Sequence, residues 1–473
     1  MIDKIKLKKL INKLWASNKK IYTILKKSPD LETARERLYK HLWEREMHLY
    51  SAKFVIHPLE KANIRTCLHT FKNIIAPRNE VLTGKSSLLL LWRLAKMPGH
   101  KDILSVSPGF IEEFRHIFLA VAGKSLIHSL KKIPSFLKKE GRKSAVMRSR
   151  DLDRIYAHCE KYFSKYTSGL DPSILQKRIF TRKRLRALFR ASESSWNDWT
   201  WQLKHIVRDE KGLSRTIELT QEERSAIRMA KMSRLPFGIT PHYISLMDQS
   251  SQSKMDHALR AQVIPPLSYI EGMIEYQGNQ SERADFMLER DTSPVDLITR
   301  RYPMVSIIKP YNTCPQICQY CQRNWEIDDA LSMNAAPSRF KLRYALNWLK
   351  KHTAIKEVLV TGGDPLAMND DQFESVLGEI SSISHIERIR ICSRTLVTLP
   401  QRYTSGLISI ISKYHRPARR EIVMVTHIEH PYEISGETIM ALKKLRSAGI
   451  TIYNQMVFTI ENARRFEAAY LRR

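Results

Sequence analysis

The sequence predicts an α/β fold: a partial (β/α)6-type barrel with five visible strands, preceded by a basic α-helical N-terminal domain. Strand-like and helix-like segments alternate from about residue 304 onward, which is typical of a parallel sheet. Apolar residues recur at helical spacing near the N-terminus, as at Leu7, Ile11 and Leu14. Residues 1–195 contain 42 Lys and Arg against 17 Asp and Glu, whereas the remainder contains 37 against 31.

These changes of composition divide the chain into three predicted parts. They are a basic helical extension over 1–190, a helical collar over 191–300 and an α/β part over 301–473. The positive charge of the extension favours contact with a polyanion such as RNA or a membrane surface. A solvated basic surface explains the charge as well, because no nucleic-acid-binding motif is visible.

Nothing in the sequence predicts insertion into a membrane. The N-terminal residues form a basic amphipathic pattern without the apolar stretch of a signal peptide. The longest apolar run, residues 88–92, is far too short to span a bilayer. The cysteines form no paired framework, which favours a reducing compartment. We therefore expect a cytoplasmic protein.

The collar contains two predicted helix starts. Thr220 and Glu223 have the spacing of a capping box. Upstream, Ser194 or Ser195 is available to cap a helix whose three tryptophans favour burial. A binding box for a base is the alternative role of these tryptophans, Trp196, Trp199 and Trp201.

The α/β part contains five predicted strands, and polar residues follow each of them. The strands are 305–308, 358–360, 389–392, 422–425 and 450–458. In parallel barrels the chemistry lies at the C-terminal ends of the strands. The polar groups at these ends are the cysteine loop 313–323, Thr361 to Pro365, Ser393 with Arg394, Thr426 to His430, and Asn454 with Gln455.

Three of the six cysteines lie in the first of these loops, spaced C-x3-C-x2-C at Cys314, Cys318 and Cys321. A structural zinc site needs four protein ligands, and an ordinary iron–sulfur cluster needs four thiolates. The other cysteines are single and remote in sequence, so three thiolates would leave one iron of a 4Fe-4S cluster open to a small molecule. Half of a zinc site completed by His427 or His430 is the alternative.

The cysteine spacing resembles that of the radical S-adenosyl-L-methionine (SAM) enzymes. Over residues 196–463 the chain resembles one of their families, lysine 2,3-aminomutase, in which a helical collar like 191–300 is typical. The matching motifs are Trp196 to Gln202, Ile239 to Tyr243, Asp291 to Pro294, Arg301 to Pro303, the cysteine loop, Gly362 to Asp364, Ile389 to Arg394, Leu399 to Arg402, Thr426 with His427, His430 with Pro431, and Asn454 with Gln455.

The resemblance implies a radical SAM barrel and an isomerase reaction. Cys314, Cys318 and Cys321 would be the metal-binding residues of a 4Fe-4S cluster, whose electron cleaves SAM to a 5′-deoxyadenosyl radical. That radical would start the migration of an amino group from carbon 2 to carbon 3 of an amino acid held on pyridoxal phosphate (PLP). The implied SAM contacts are Tyr320, Gly362, Gly363, Asp364, Arg394, His427 and Gln455.

The resemblance also assigns the substrate end of the site. Arg323 matches the catalytic arginine that pairs with the substrate α-carboxylate, a role suited to a planar guanidinium. Arg301 and Tyr302 match PLP contacts. Val305 stands where a phosphate-binding arginine is expected, and residues 324–326 replace further basic residues. The implied partners are a small-molecule amino acid, an electron donor such as flavodoxin or ferredoxin, and further copies in a homo-oligomer.

The family's PLP-binding lysine and sixth strand correspond to sequence beyond residue 473. We therefore expect this chain to be the N-terminal part of a longer aminomutase. The alternatives are a variant that dispenses with PLP, an RNA- or polyanion-binding protein that carries a radical SAM domain, and an inactive remnant.

Overall fold

The computed structural model describes residues 4–51, 56, 58–96, 106–125, 135–253, 255–278, 285, 287–327, 329–459, 461–463 and 470–471. The chain forms two compact units, Met1–Cys159 and Glu160–Arg473. The three-part division at residues 190 and 300 stays a prediction.

The first unit is helical throughout its described residues. Its helices are α1 Lys4–Ser17, α2 Lys19–Lys27, α3 Leu31–Leu49, α4 Pro58–Ile74, α5 Pro77–Thr83, α6 Ser87–Lys96 and α7 Pro108–Val121, and α8 Gly141–Phe163 begins in it. Leu7, Ile11 and Leu14 are buried in one apolar core, as their spacing predicts. Across the described part of both units, no helix is both long and apolar enough to cross a membrane.

The second unit begins with short helices. They are α9 Pro172–Leu188, α10 Glu193–Asn197, α11 Trp199–Lys204, α12 Glu210–Ser214, α13 Gln221–Met232, α14 Pro241–Ile244, α15 His257–Val263 and α16 Leu267–Gly278. The capping box of Thr220 and Glu223 at the start of α13 is confirmed. The predicted cap at Ser194 or Ser195 is wrong: Ser192 caps α10, and extended backbone at Asp198 separates a second short helix, α11.

A six-stranded sheet follows, in the order β1 to β6. The strands are β1 Ile298–Thr299, β2 Val305–Tyr311, β3 Glu357–Gly362, β4 Arg388–Cys392, β5 Glu421–Thr426 and β6 Thr451–Asn454. The connecting helices are α17 Arg339–Lys351, α18 Asp370–Ser381, α19 Thr395–Thr398, α20 Ser405–Tyr414 and α21 Gly436–Ser447. Strands β2 to β6 are parallel, which confirms the α/β class and the five predicted strands.

Two features of the sheet differ from the prediction. Strand β1 has only two residues, too few for a periodic pattern, and it pairs antiparallel with β2. It therefore covers the edge of β2 that would otherwise be open. Strand β6 ends at Asn454, four residues before the predicted end at residue 458.

Alternation along the strands gives the sheet two different faces. Ile308, Val360 and Ile391 belong to the main apolar core on one face. Residues one position away, Lys309 on β2 and Arg390 on β4, carry charges to the opposite face. The opposite face therefore combines these charged side chains with a small apolar cluster of Leu359, Cys392, Val423 and Val425.

Candidate functional site

The cysteine loop follows β2 and is hydrogen-bonded to the loop that follows β3. The Gly363 N–H donates to the Tyr311 carbonyl at 2.8 Å, and the Asp364 N–H donates to the Thr313 carbonyl at 2.9 Å. A Cβ on Gly363 would lie 2.1 Å from the Thr313 oxygen, and Gly362 has a φ of +111°. Both glycines are therefore required where the two loops meet, and their predicted contact with SAM stays a prediction.

Segments before the sheet hold the other side of the cysteine loop. The Ile317 N–H donates to the Gly238 carbonyl at 3.0 Å, and the Gln319 N–H donates to the Gln262 carbonyl at 2.8 Å. The Asn324 side-chain amide donates to the Cys318 carbonyl at 2.8 Å. These bonds fix the backbone on which the cysteines stand.

The three thiols of the loop are free and half-buried, and they lie within eight residues of the chain. Burial raises the pKa of Cys314 well above its usual value, and Cys321 and Cys318 raise it further. Burial also raises the pKa of Cys321 to about 11. Because cysteine binds metals as the thiolate, a metal or cluster that binds these thiols must displace their protons.

Among the described residues, no three Cys, His, Asp or Glu side chains converge on a position for a single metal ion. A cluster brings its own irons and sulfides and therefore needs thiolates that stand further apart. Three free, half-buried thiols on one fixed loop fit such a group with three cysteine ligands.

Asp364 connects the loops after β3 and β4. Its buried carboxylate accepts from the Leu366 N–H at 3.0 Å, the Ser393 hydroxyl at 3.0 Å and the Arg394 N–H at 2.9 Å. Burial raises the pKa of Asp364, although these donors oppose the shift. A carboxylate has about four acceptor positions, so one remains for the predicted contact with the SAM amino group.

Arg394 lies against the cysteine loop. Its Nη1 donates to the Cys318 Sγ at 2.9 Å, and its Nη2 lies 2.9 Å from the Glu433 carboxylate. The rings of Tyr243 and Tyr320 each lie 5.4 Å from the guanidinium. The predicted SAM contacts Tyr320 and Arg394 are therefore together, and both are beside Cys318.

The other two predicted SAM contacts lie further along the rim. The His427 carbonyl accepts from the Arg394 Nε at 3.3 Å, and its ring nitrogen lies 3.8 Å from the Glu429 carboxylate. Gln455 follows β6 with an exposed side chain, and its N–H donates to the Thr426 carbonyl at 2.8 Å. The structure brings His427 to the cysteine loop through Arg394, whereas Gln455 lies at the open edge.

Arg323 belongs to a closed ring of four charges, two of them buried and two half-buried. Its Nη1 lies 2.6 Å from the Glu289 carboxylate and 3.3 Å from that of Glu326. The Lys309 Nζ completes the ring, at 2.8 Å from Glu289 and 3.3 Å from Glu326. Burial alone would raise the pKa of Glu289, but Arg323 and Lys309 bring it below its usual value. The predicted substrate arginine is therefore already paired with two carboxylates of the chain.

The two predicted PLP contacts are separated by the structure. The Arg301 Nε donates to the Thr292 hydroxyl at 3.3 Å, and its Nη2 lies 3.9 Å from the Glu289 carboxylate. The next side chain, Tyr302, is 65% exposed. Arg301 thus adjoins the ring of charges, whereas Tyr302 faces solvent, and their contact with PLP stays a prediction.

A cavity of about 580 Å³ lies beside the cysteine loop. Gln319 and Tyr320 line it from the loop, and Gln262 and Tyr269 line it from the preceding segments. Small-molecule sites have volumes of roughly 300–1,000 Å³. A larger cavity of about 770 Å³ between α9 and α21 is lined by none of the predicted site residues.

Four residues of the site escape prediction from the sequence: Gln262, Glu289, Lys309 and Glu433. Lys309 carries a signal, because it is a single charge that continues the apolar run of β2. Glu433 also carries one, since it follows His430 by three residues and completes a capping box. The roles of Glu289 and Gln262 depend on contacts between distant segments, which no local pattern reveals.

The chain is similar to several known proteins. It is 38% identical over 469 residues to an uncharacterized KamA family protein of Methanocaldococcus jannaschii, a match that covers 95% of this chain and 74% of the relative. It is 32% identical over 278 residues to glutamate 2,3-aminomutase of Clostridioides difficile. It is 35% identical over 268 residues to L-lysine 2,3-aminomutase of Methanococcus maripaludis.

The two aminomutase matches cover 58% and 56% of this chain, and 61% and 58% of the relatives. This chain thus spans about three-fifths of the length of these aminomutases. No family model matches the chain.

Proposed function

The chain belongs to the lysine 2,3-aminomutase (KamA) family, and from this premise we propose that it is a radical SAM enzyme of the aminomutase type. In this proposal the five parallel strands form a partial radical SAM barrel. The observation that carries it is the position of Cys314, Cys318 and Cys321 on a fixed loop at the C-terminal end of β2. Asp364 and Arg394 lie directly beside this loop.

The residues present fit the groups that the family implies. Cys314, Cys318 and Cys321 would hold a 4Fe-4S cluster, and Asp364 has an acceptor position left for the amino group of SAM. The Arg301 Nη2 is buried and has no hydrogen-bond partner among the described residues, so it has a donor left for the PLP phosphate. When bound, these groups supply the one-electron chemistry and the PLP chemistry by which an amino group moves from carbon 2 to carbon 3 of an amino acid.

The chain's own residues position the substrate and limit access of water. The Arg323 guanidinium is 6% exposed and is fixed by Glu289 and Glu326. Because the Arg323 guanidinium is shielded from water, its hydrogen bonds to a substrate carboxylate are strong. The incoming carboxylate would compete with the two glutamates for Arg323, and a glutamate displaced from Arg323 would keep Lys309 as its partner.

Anaerobic reconstitution with iron and sulfide tests the proposal. We expect about four irons per chain and, with dithionite, conversion of SAM to 5′-deoxyadenosine and methionine, both measured by chromatography. Cys318→Ser should lose both properties. Cys159→Ser is the matched control and should keep them, because Cys159 lies on α8 outside the cysteine loop. SAM that remains intact despite a full cluster would refute the proposal.

A second assay tests the aminomutase step. The reconstituted chain is incubated with SAM, PLP, dithionite and either L-lysine or L-glutamate, and mass spectrometry with chiral chromatography measures the 3-amino product. The two probes are the substrates that the names of the relatives give. A product from either probe identifies the side chain that the site accepts. SAM cleavage without a 3-amino product would support the radical SAM part of the proposal and contradict the aminomutase part for these two substrates.

We propose three partners besides the amino acid: an electron donor of the flavodoxin or ferredoxin type, further copies of the chain, and RNA at the basic residues 1–190. The net charge of +25 over residues 1–195 supports the last. The logarithm of the association constant of the full chain for labelled RNA should fall linearly with the logarithm of the salt concentration. No measurable RNA binding at low salt would leave a solvated basic surface as the explanation.

A further inference from the structure

The Arg394 side chain is held in one orientation by four neighbours. Its Nη2 contacts the Glu433 carboxylate at 2.9 Å and the Tyr243 hydroxyl at 3.2 Å, and it also donates to the Gln262 side-chain oxygen. Its Nε donates to the His427 carbonyl at 3.3 Å. Because every one of these groups is buried or half-buried, the guanidinium has no room to turn toward solvent.

The remaining nitrogen of this fixed group points at sulfur. Nη1 lies 2.9 Å from the Cys318 Sγ, a short distance for an N–H donor to sulfur. The Tyr243 and Tyr320 rings, each 5.4 Å from the guanidinium, leave it little freedom to move away. Arg394 thus presents a directed, charged donor to one of the three cluster cysteines.

Glu433 is fixed as firmly as the arginine. Its Oε1 accepts from the His430 N–H at 3.1 Å and from the Glu429 N–H, while its Oε2 contacts Arg394. The positive charge of Arg394 is therefore balanced by the negative charge of Glu433. What reaches Cys318 is mainly the hydrogen bond of Nη1 rather than an unbalanced charge.

We propose that Arg394 is a positioning residue that sets the reduction potential of the cluster through Cys318. Reduction adds negative charge to the cluster and its thiolates, and a hydrogen bond to a thiolate sulfur stabilises that charge. The bond from Nη1 therefore favours the reduced form. The inference rests on the proposed function, because it needs a cluster on Cys314, Cys318 and Cys321, and it assigns Arg394 a role through sulfur rather than through SAM.

The test is a redox titration of the reconstituted full chain, followed by electron paramagnetic resonance in the absence of SAM. We expect the midpoint potential of Arg394→Lys to be more negative than that of the wild type. At the wild-type midpoint, the ratio of reduced to oxidised cluster should fall about tenfold, the effect of one charge-assisted hydrogen bond. Arg390→Gln is the matched control and should keep the wild-type potential, because Arg390 pairs with Glu357 on the neighbouring strand.

A double variant distinguishes a change in the hydrogen bond from misfolding caused by an isolated buried charge. Arg394→Met with Glu433→Gln removes both members of the buried pair, so no isolated charge remains. It should show the same negative shift with a wild-type circular dichroism spectrum. Equal potentials for the wild type, Arg394→Lys and the double variant would overturn the inference alone. Failure of the wild type to take up a cluster would overturn the proposed function and this inference with it.

Discussion

Replacing Glu289 by glutamine should loosen β2 and the substrate end of the site. The Glu289 side chain is 4% exposed and lies 2.6 Å from Arg323 and 2.8 Å from Lys309. It also accepts from the Thr299 hydroxyl at 3.1 Å. The substitution keeps the size and one acceptor oxygen but leaves Arg323 and Lys309 to share Glu326.

The structure sets the size of the effect. Removal of one partner from a buried ion pair costs about 3–5 kcal/mol. Glutamine still accepts one hydrogen bond, so we expect a loss of about 2–4 kcal/mol in local stability. The matched control is Glu387→Gln. The Glu387 side chain is 65% exposed and lies 3.5 Å from Lys356, so its loss should cost about 0.5 kcal/mol or less.

Hydrogen exchange measured by mass spectrometry gives this stability locally. Because the chain has two compact units, a single global unfolding energy is not well defined. Peptides that cover β2 should exchange about 30- to 700-fold faster in Glu289→Gln than in the wild type. Peptides of the first unit should be unchanged and provide an internal reference.

The same variant has a predicted dependence on pH. The folded-state pKa of Glu289 lies below its usual value of 4.5. Its contribution is therefore complete above about pH 4.5 and is lost as the pH falls through the lower, folded-state pKa. The difference between wild type and Glu289→Gln should shrink below that pH. If Glu289→Gln and Glu387→Gln exchange alike at pH 7, the ring of charges does not stabilise the site and the reasoning is refuted.

Three further substitutions test other contacts. Gly363→Ala should disrupt the cysteine loop and strongly lower iron uptake, because its Cβ would lie 2.1 Å from the Thr313 oxygen; Gly436→Ala, with open space around it, should not. Arg402→Met should cost about 3 kcal/mol of local stability in exchange measurements on the loop after β3, since the fully buried Arg402 donates to two carbonyls there; Arg402→Lys should cost less. Burial lowers the pKa of His242 from 6.5 to about 4. The protection of α14 against hydrogen exchange should therefore fall in the wild type as the pH drops from 6.5 toward 4, but not in His242→Gln. An equal fall in both proteins would contradict this.

Periodicity and spacing were sufficient for much of the fold. Short apolar runs between helix-like segments placed all five parallel strands, and helical spacing identified Leu7, Ile11 and Leu14 as core residues. These signals are local, because a strand or helix must bury one face wherever it packs. Strand β1 lacked such a signal since two residues show no period.

Helix ends show where local signals are not sufficient. The capping box at Thr220 is contained within four residues, and it is confirmed. At the tryptophan-rich segment several serines were equally suitable as caps, and packing selected Ser192. Trp196 is fully buried, whereas Trp199 lies over the Arg402 guanidinium at 4.3 Å. The sequence did not indicate which of these tryptophans is buried in the core and which contacts a guanidinium.

The sequence by itself determined which strand-end loops meet at the site, because parallel strands bring their C-terminal ends to one edge. The spacing of Cys314, Cys318 and Cys321 on the first such end predicted one loop with three thiols. Only the tertiary structure decided what each side chain does there. Arg394 contacts Cys318, which lies 76 positions earlier in the sequence. Arg323 is shared by Glu289, which is 34 positions away (323 − 289), and by Glu326, which is three positions away. Such contacts depend on side-chain packing and charge balance in three dimensions, which no local pattern encodes.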